Sequence, residues 1–166
     1  MTLFGHDEGS LRRLVILGGG NIGLFLAQEI ESGAQSMSAK LIEFNKNRAE
    51  LIAERLSRTV VLHGDALDPD MLEEANIRAA ESVIAVTNDD ETNILASLLA
   101  KRAGCRRSVT LINKTSYSSL VSSLGIDVAV SPRAITVSTI LQQVRRGRIR
   151  SVHSLREGFG ELIEAE

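Results

Sequence analysis

The sequence predicts an α/β fold in which a doubly wound, parallel, six-stranded sheet is covered by helices. Short apolar runs alternate with longer amphipathic segments along the 166 residues, a rhythm that is typical of βαβ units. Hydrophobic residues make up 43% of the chain but include one Tyr, four Phe and no Trp. The core must therefore be mainly aliphatic, which suits strands that are buried on both faces.

The predicted strands are the short apolar runs, at residues 13–17, 39–44, 59–62, 82–86, 108–112 and 127–130. Between them, apolar residues recur three and four apart, which predicts helices near residues 21–31, 46–57, 69–76, 89–103 and 115–123. Pro69, behind the N-cap type residue Asp68, suits the start of the third helix, and Gly104 suits the end of the fourth.

The alternation of predicted strands and helices changes after residue 131. Residues 133–146 predict one more helix with an apolar surface that includes Ile135, Ile140, Leu141 and Val144. A strand, a turn and another strand follow, and two short strands cannot bury an apolar face alone. We expect them to be the truncated start of a further subdomain.

Composition excludes several classes of function. A net charge of −2 argues against a nucleic-acid-binding domain. Cys105 is the sole cysteine, so neither an internal disulfide nor a cysteine-rich metal site is expected. No stretch approaches about 18 uncharged apolar residues, and no signal peptide is recognisable. The expectation is a soluble cytoplasmic chain that has no metal site and reaches a membrane only through a partner.

The stretch "VILGGGNIG" carries the strongest functional signal. Gly18, Gly20 and Gly23 fit the pattern G-x-G-x-x-G directly after a predicted strand and at the opening of a helix. In that setting the first glycine permits a tight turn, the second lets the backbone approach a pyrophosphate, and the third lets helix and strand pack closely. The sequence thus predicts a Rossmann-like sheet with phosphate at the helix N-terminus.

Glu43 strengthens this prediction. It follows Gly23 by about 20 residues, at the end of the second predicted strand, where a carboxylate accepts hydrogen bonds from an adenosine ribose. Such a carboxylate repels the extra phosphate of NADP, so NAD is favoured, although Lys46 and Arg48 could blunt that preference. The lysine and hydroxyl of a P-loop are absent, which argues against nucleotide hydrolysis.

Two further loops lie at the same predicted edge of the sheet. "HGDALD" follows the third strand and contains Asp65 and Ala66, which suit an adenine edge. "TNDDETN" follows the fourth strand. Turn formation or helix capping remains an alternative explanation for Asp65 and Asp89.

Together, "VILGGGNIG", "LIEFNKNR", "HGDALD", "VIAVTNDDETNILASLLAKR" and "GIDVAVSPR" resemble the N-terminal subdomain of an RCK (KTN) domain, over residues 12 to about 164. The resemblance is to the second of two tandem units in a cytoplasmic regulator of Trk-type potassium uptake. It implies a linker at residues 1–10, a nucleotide-binding domain at 11–131, a crossover and dimerisation helix at 132–148, and the start of a C-terminal subdomain at 149–166.

The resemblance also implies a ligand and partners. The ligand would be NAD or NADH, or else ATP or ADP, and the partners would be a Trk-type membrane potassium channel or transporter subunit and a second copy of the chain. The residues that would contact the ligand are Gly18, Gly20, Asn21, Ile22, Gly23, Glu43, Asp65, Ala66, Thr87, Asn88 and Lys114. Glu43 and Asn45 stand where many relatives carry Asp, which leaves the choice among NAD, NADH and ATP open.

Two enzymatic alternatives fit less well. A dehydrogenase needs a proton donor near the substrate, yet Val121 stands where a Tyr-x-x-x-Lys pair starting at Tyr117 would need lysine. His6, His63 and His153 are far apart in the sequence. Cys105 follows the predicted end of a helix and is interpreted as a small structural residue rather than a nucleophile. A methyltransferase that uses S-adenosylmethionine would need a seventh-strand hairpin, for which the sequence has no counterpart. We therefore predict a regulatory domain without catalytic residues.

Overall fold

The structure is a computed structural model that describes residues 12–33, 36–144, 149–154 and 161–165. The predicted linker at residues 1–10, and Arg145 and Arg146 at the end of the predicted last helix, lie outside the described residues. The described residues divide into two compact units that meet between Val130 and Ser131. Each unit is considered by itself.

The first unit contains a six-stranded parallel sheet in the order β3-β2-β1-β4-β5-β6. The strands are β1 (Arg12–Leu17), β2 (Met37–Glu43), β3 (Val60–His63), β4 (Ser82–Ala85), β5 (Arg107–Leu111) and β6 (Val128–Val130). The prediction of a doubly wound parallel sheet is confirmed. The strand order reverses between β1 and β4, and at such a point open α/β sheets bind their ligands.

Six helices are described in the chain. They are α1 (Asn21–Ser32), α2 (Lys46–Arg55), α3 (Pro69–Glu74), α4 (Asp90–Arg102), α5 (Ser118–Ser123) and α6 (Pro132–Val144), with short 3₁₀ turns at Ile77–Ala79 and Thr115–Tyr117. The segment predicted as one helix at 115–123 thus opens as a 3₁₀ turn. The second helix ends at Arg55 rather than 57, because the backbone N–H groups of Ser57, Arg58 and Thr59 bind the Glu31 carboxylate instead of continuing the helix.

The core lies on both faces of the sheet, as alternation along a strand requires. Val15 and Leu17 of β1 pack on one face with Leu72 of α3 and Ala96 of α4. The intervening Ile16 packs on the other face in a cluster with residues of α1 and α2, namely Leu24, Ala27, Ile30 and Ile52. Helices on both faces leave the carboxyl edge of the strands open for a site.

The second unit contains α6 and an antiparallel pair of strands, β7 (Ile149–Ser154) and β8 (Glu161–Ala165). Helix α6 buries none of its side chains, and Ile135, Val137, Ile140 and Val144 are all exposed. Among the described residues, no helix has the length and apolar character needed to cross a membrane.

Candidate nucleotide-binding site

A cavity of about 650 Å³ opens at the carboxyl edge of the sheet, where the strand order reverses. Seven of the predicted ligand residues line it: Gly18, Gly20, Glu43, Asp65, Ala66, Thr87 and Asn88. The loops after β1, β2, β3 and β4 all contribute to this wall. Asn21, Ile22, Gly23 and Lys114 were also predicted to contact the ligand, but they do not line the cavity.

The glycines of the loop differ in what surrounds them. Gly18 has a φ of +103°, and an added Cβ would lie 2.9 Å from the Thr87 N of the neighbouring loop. At Gly23 an added Cβ would lie 1.9 Å from the Gly18 carbonyl oxygen, so this glycine allows α1 to pack closely on the loop. Gly20, the N-cap of α1, has no atom within 4 Å of such a Cβ. Gly20 also lines the cavity.

Glu43 holds the glycine loop through its carboxylate. Its Oε2 accepts a hydrogen bond from the Gly19 N–H at 2.7 Å, and its Oε1 accepts one from the Asn45 N–H at 2.8 Å. Each carboxylate oxygen offers two lone pairs, so one on each oxygen remains for a ligand hydroxyl. The predicted ribose acid is therefore also a structural acceptor for the loop.

Gly19 and Arg48 contribute to the same loop geometry, and Gly19 was not among the predicted ligand residues. An added Cβ at Gly19 would lie 2.3 Å from Ile52 Cδ1 and 2.8 Å from Glu43 Oε2. Arg48 lines the cavity and its Nε donates to the Gly19 carbonyl oxygen at 2.8 Å. The N–H of Gly19 is thus hydrogen-bonded to β2 and its carbonyl oxygen to α2. The signal that could have indicated this crowding is a glycine at the variable position of G-x-G, between Gly18 and Gly20.

The loops after β3 and β4 are fixed by their own side chains. Asp65 Oδ1 accepts from the Leu67 N–H at 2.9 Å, and Asp89 Oδ1 accepts from the Thr92 N–H at 2.7 Å, so both also act as turn or capping residues. Asn93 is fully buried, and its Oδ1 accepts from both the N–H and the hydroxyl of Thr87. The Asn93 amide thereby sets the position of Thr87 at the cavity wall.

Lys114 belongs to an exposed cluster with Glu91 and Tyr117. Its Nζ donates to Glu91 Oε1 at 2.7 Å, and the Tyr117 hydroxyl donates to the same oxygen at 2.7 Å. The hydrogen bonds from Lys114 and then from Tyr117 lower the pKa of Glu91 to about 2, while the bond to Glu91 raises the pKa of Lys114. In this structure the Lys114 ammonium is thus engaged by Glu91.

Of the residues weighed for the enzymatic alternatives, His63, Cys105 and Tyr117 are described in the first unit, and none of these three lines the cavity. Cys105 is buried, and burial raises the pKa of its thiol. Tyr117 bonds to Glu91. In the described part of the chain, no group of three or more His, Cys, Asp or Glu side chains could hold a metal ion.

A family model described as the TrkA-N domain matches residues 14–132, which is most of the chain. The chain belongs to the TrkA-N family. This TrkA-N domain is 53% identical, over all 166 of its residues, to the Trk system potassium uptake protein TrkA of Azorhizobium caulinodans. It is 49% identical over 158 residues to the protein of that name from Halomonas elongata. These matches cover 100% and 95% of the chain but only 36% and 34% of the two relatives.

Solved structures agree with this assignment. The TrkA-N domain of the Escherichia coli inner membrane protein ybaL has a TM-score of 0.72 and 14% identity, over 81% of this chain and 97% of that one. The GsuK channel bound to NAD has a TM-score of 0.69 and 19% identity, over 92% of this chain and 27% of that one. GsuK bound to ADP has a TM-score of 0.66 and 26% identity, over 81% and 34% of the two chains. The resemblance to RCK domains, and with it the Rossmann-like fold, is confirmed.

Proposed function

We propose that this TrkA-N domain binds an adenine nucleotide, NAD or NADH or else ATP or ADP, and so regulates a potassium uptake system. One observation carries the proposal: at the reversal of strand order, a glycine loop with open space at Gly20 and the Glu43 carboxylate line one cavity. Backbone N–H groups at a helix N-terminus favour phosphate. A carboxylate about 20 residues further along favours ribose hydroxyls.

The charges around the cavity support NAD and NADH over NADPH. Glu43, Asp65 and Asp89 line it together with a single cation, Arg48, among the described residues. An additional phosphate on the ribose would meet the Glu43 carboxylate, which repels it. The positive charge of Arg48 reduces this repulsion. It does not remove it, because the Arg48 side chain is held by a hydrogen bond to the Gly19 carbonyl oxygen.

The relatives support the regulatory role. The curated proteins that match are named for potassium uptake, and GsuK structures similar to this chain hold NAD or ADP. A nucleotide that binds two arrangements of paired domains unequally shifts the population between them. The membrane partner is then a Trk-type potassium transporter subunit, to which the domain would attach at the cytoplasmic face. Such a role needs no catalytic residue.

Helix α6 supports pairing of two copies. Its exposed residues Ile135, Val137, Ile140 and Val144 are apolar, and exposed apolar patches mark interaction surfaces. In a two-fold dimer the same surface would serve both partners. Two nucleotide sites would then be mechanically linked.

Calorimetric titration tests the proposed ligand. The purified chain is titrated with NAD, NADH, NADPH, ATP, ADP and S-adenosylmethionine, and NAD, NADH or the adenosine phosphates should bind while S-adenosylmethionine does not. Gly20→Val should abolish this binding in a folded protein, because its side chain would occupy the open space at the loop. Unchanged NADH affinity in folded Gly20→Val would remove the loop from the site.

A further inference from the structure

Phe44 is the most exposed large apolar side chain in the described part of the chain, with 73% of its surface accessible. It directly follows Glu43 at the carboxyl end of β2, and it belongs to none of the three apolar clusters formed by the described residues. An aromatic side chain gains free energy by leaving water. Its position at the wall of the cavity indicates that a ligand could provide that contact.

The apolar side chains that line the cavity all lie at one end of it, where Asn45, Arg48 and Asp65 accompany them. The strand order β3-β2-β1-β4 places the loops after β3 and β2 together on one side. These two loops and the end of β2 supply the apolar lining residues Ile42, Phe44, Ala66 and Leu67. The loops after β1 and β4 supply Gly18, Gly20, Thr87, Asn88 and Asp89. Glu43 lies between the two ends.

This arrangement matches the order of groups in an adenosine phosphate. With phosphate at the glycine loop and ribose at Glu43, the base lies toward β2 and β3, beside Phe44. Bases stack on aromatic side chains because both present a flat π-face. We propose that Phe44 is the platform on which the adenine base of the ligand stacks, an inference that rests on the proposed nucleotide binding.

The first test compares two exposed phenylalanines. Phe44→Ala should weaken the binding of both NADH and ADP by about 5- to 150-fold, the effect expected for loss of one base stack, and Phe44→Tyr should keep affinity within about twofold. Phe25→Ala is the matched control, because Phe25 is 63% exposed on α1 and does not line the cavity. It should leave both affinities unchanged.

A fluorescent variant provides a second measurement. Because the chain contains no Trp, Phe44→Trp introduces a single indole, whose emission should change saturably as ADP is added. An indole emission that stays constant at saturating ADP, together with Phe44→Ala affinities like those of the original chain, would overturn the proposal.

The outcomes separate this inference from the proposed function. If the unmodified chain binds neither NADH nor ADP, nucleotide binding itself is wrong. If it binds both and Phe44→Ala weakens only NADH, the ring in contact is the nicotinamide and the adenine platform is wrong. Equal losses for NADH and ADP in Phe44→Ala, with Phe25→Ala unaffected, support the platform.

Discussion

At the scale of single residues, the loop "GGG" combines three different requirements. Gly18 needs its positive φ, Gly19 lacks room for a Cβ, and Gly20 has room that a ligand can use. The same residue type therefore serves the fold at two positions and the ligand at the third. Substitutions can separate these roles.

Gly19→Ala should lower the free energy of unfolding by about 1 to 3 kcal/mol, the usual cost of overpacking. Its Cβ would meet Ile52, which is fully buried, and the hydrogen-bonded Glu43 carboxylate. Gly20→Ala is the control and should cost less than about 1 kcal/mol, the scale of an N-cap change. Urea denaturation measures both. Equal losses for the two variants would contradict the described crowding at Gly19.

Glu43→Ala should affect both ligand and loop. Two backbone N–H groups, of Gly19 and Asn45, lose their acceptor, and so would the ribose hydroxyls of the proposed ligand. We expect NADH binding to weaken by about 1 to 3 kcal/mol and the melting temperature of the empty protein to fall. NADPH should lose less affinity, because a repulsive charge is also removed.

The exposed residue Glu50 on α2 offers a control for Glu43. Glu50→Ala should change neither affinity nor melting temperature. Titration calorimetry and thermal melts provide the measurements. If Glu43→Ala weakens NADH and NADPH equally, the assignment of this carboxylate to the ribose is wrong.

At the scale of elements, Glu31 joins the end of α1 to the segment between α2 and β3. Its carboxylate accepts hydrogen bonds from the N–H groups of Ser57, Arg58 and Thr59, and Arg58 Nη2 donates to the Glu31 carbonyl oxygen. Burial raises the pKa of Glu31, but the three backbone bonds outweigh this effect and lower the pKa to about 2. One carboxylate thus ends a helix and fixes the start of a strand.

The pH dependence of Glu31→Gln follows from that pKa. Because the folded-state pKa lies below the ordinary value of 4.5, the ionised carboxylate stabilises the fold fully above pH 4.5, and this contribution is lost as the pH falls toward 2. At pH 7 we expect Glu31→Gln to be less stable by about 1 to 2 kcal/mol. Urea denaturation at pH 7, 4.5 and 3 should show the difference shrinking.

Glu29→Gln, a change at an exposed position on the same helix, is the control for Glu31. Its free energy of unfolding should equal that of the original chain at each pH. A difference between Glu31→Gln and the original chain that stays constant from pH 7 to pH 3 would exclude ionisation of Glu31 as its source.

At the scale of the whole molecule, the elements of the fold follow from local patterns, and the bonds around the site do not. Apolar runs and periodicity predict six strands and most helix bounds, since each pattern extends over a few neighbouring residues. The bonds from Arg48 and Glu43 to Gly19 connect residues 29 and 24 positions apart. Similarly, no spacing indicates that Glu91 engages Lys114 across 23 positions. Seven of the predicted ligand residues share the cavity because the carboxyl ends of parallel strands meet at one edge.

The prediction at the scale of the whole molecule is that the chain forms a homodimer through α6. Changing Ile140 and Leu141 together to Asp should convert a homodimer into a folded monomer, because burying unpaired charge in an interface is strongly unfavourable. Changing the exposed Gln142 and Gln143 of the same helix to Asp should leave the dimer intact. Sedimentation and light scattering distinguish the states. An original chain that is already monomeric at tens of micromolar would refute the dimer.

The strand order also bears on synthesis of the chain. Each strand after β1 pairs with a strand that the ribosome has already made, so none must be inserted between two existing neighbours. The second edge of β1 waits longest for its partner, from the completion of β1 at Leu17 until β4 begins at Ser82. At about 5 to 20 residues per second, that edge is open for roughly 3 to 13 seconds. Because an unpaired strand edge can pair with another chain, we expect the elongation rate between β1 and β4 to affect the yield of folded protein.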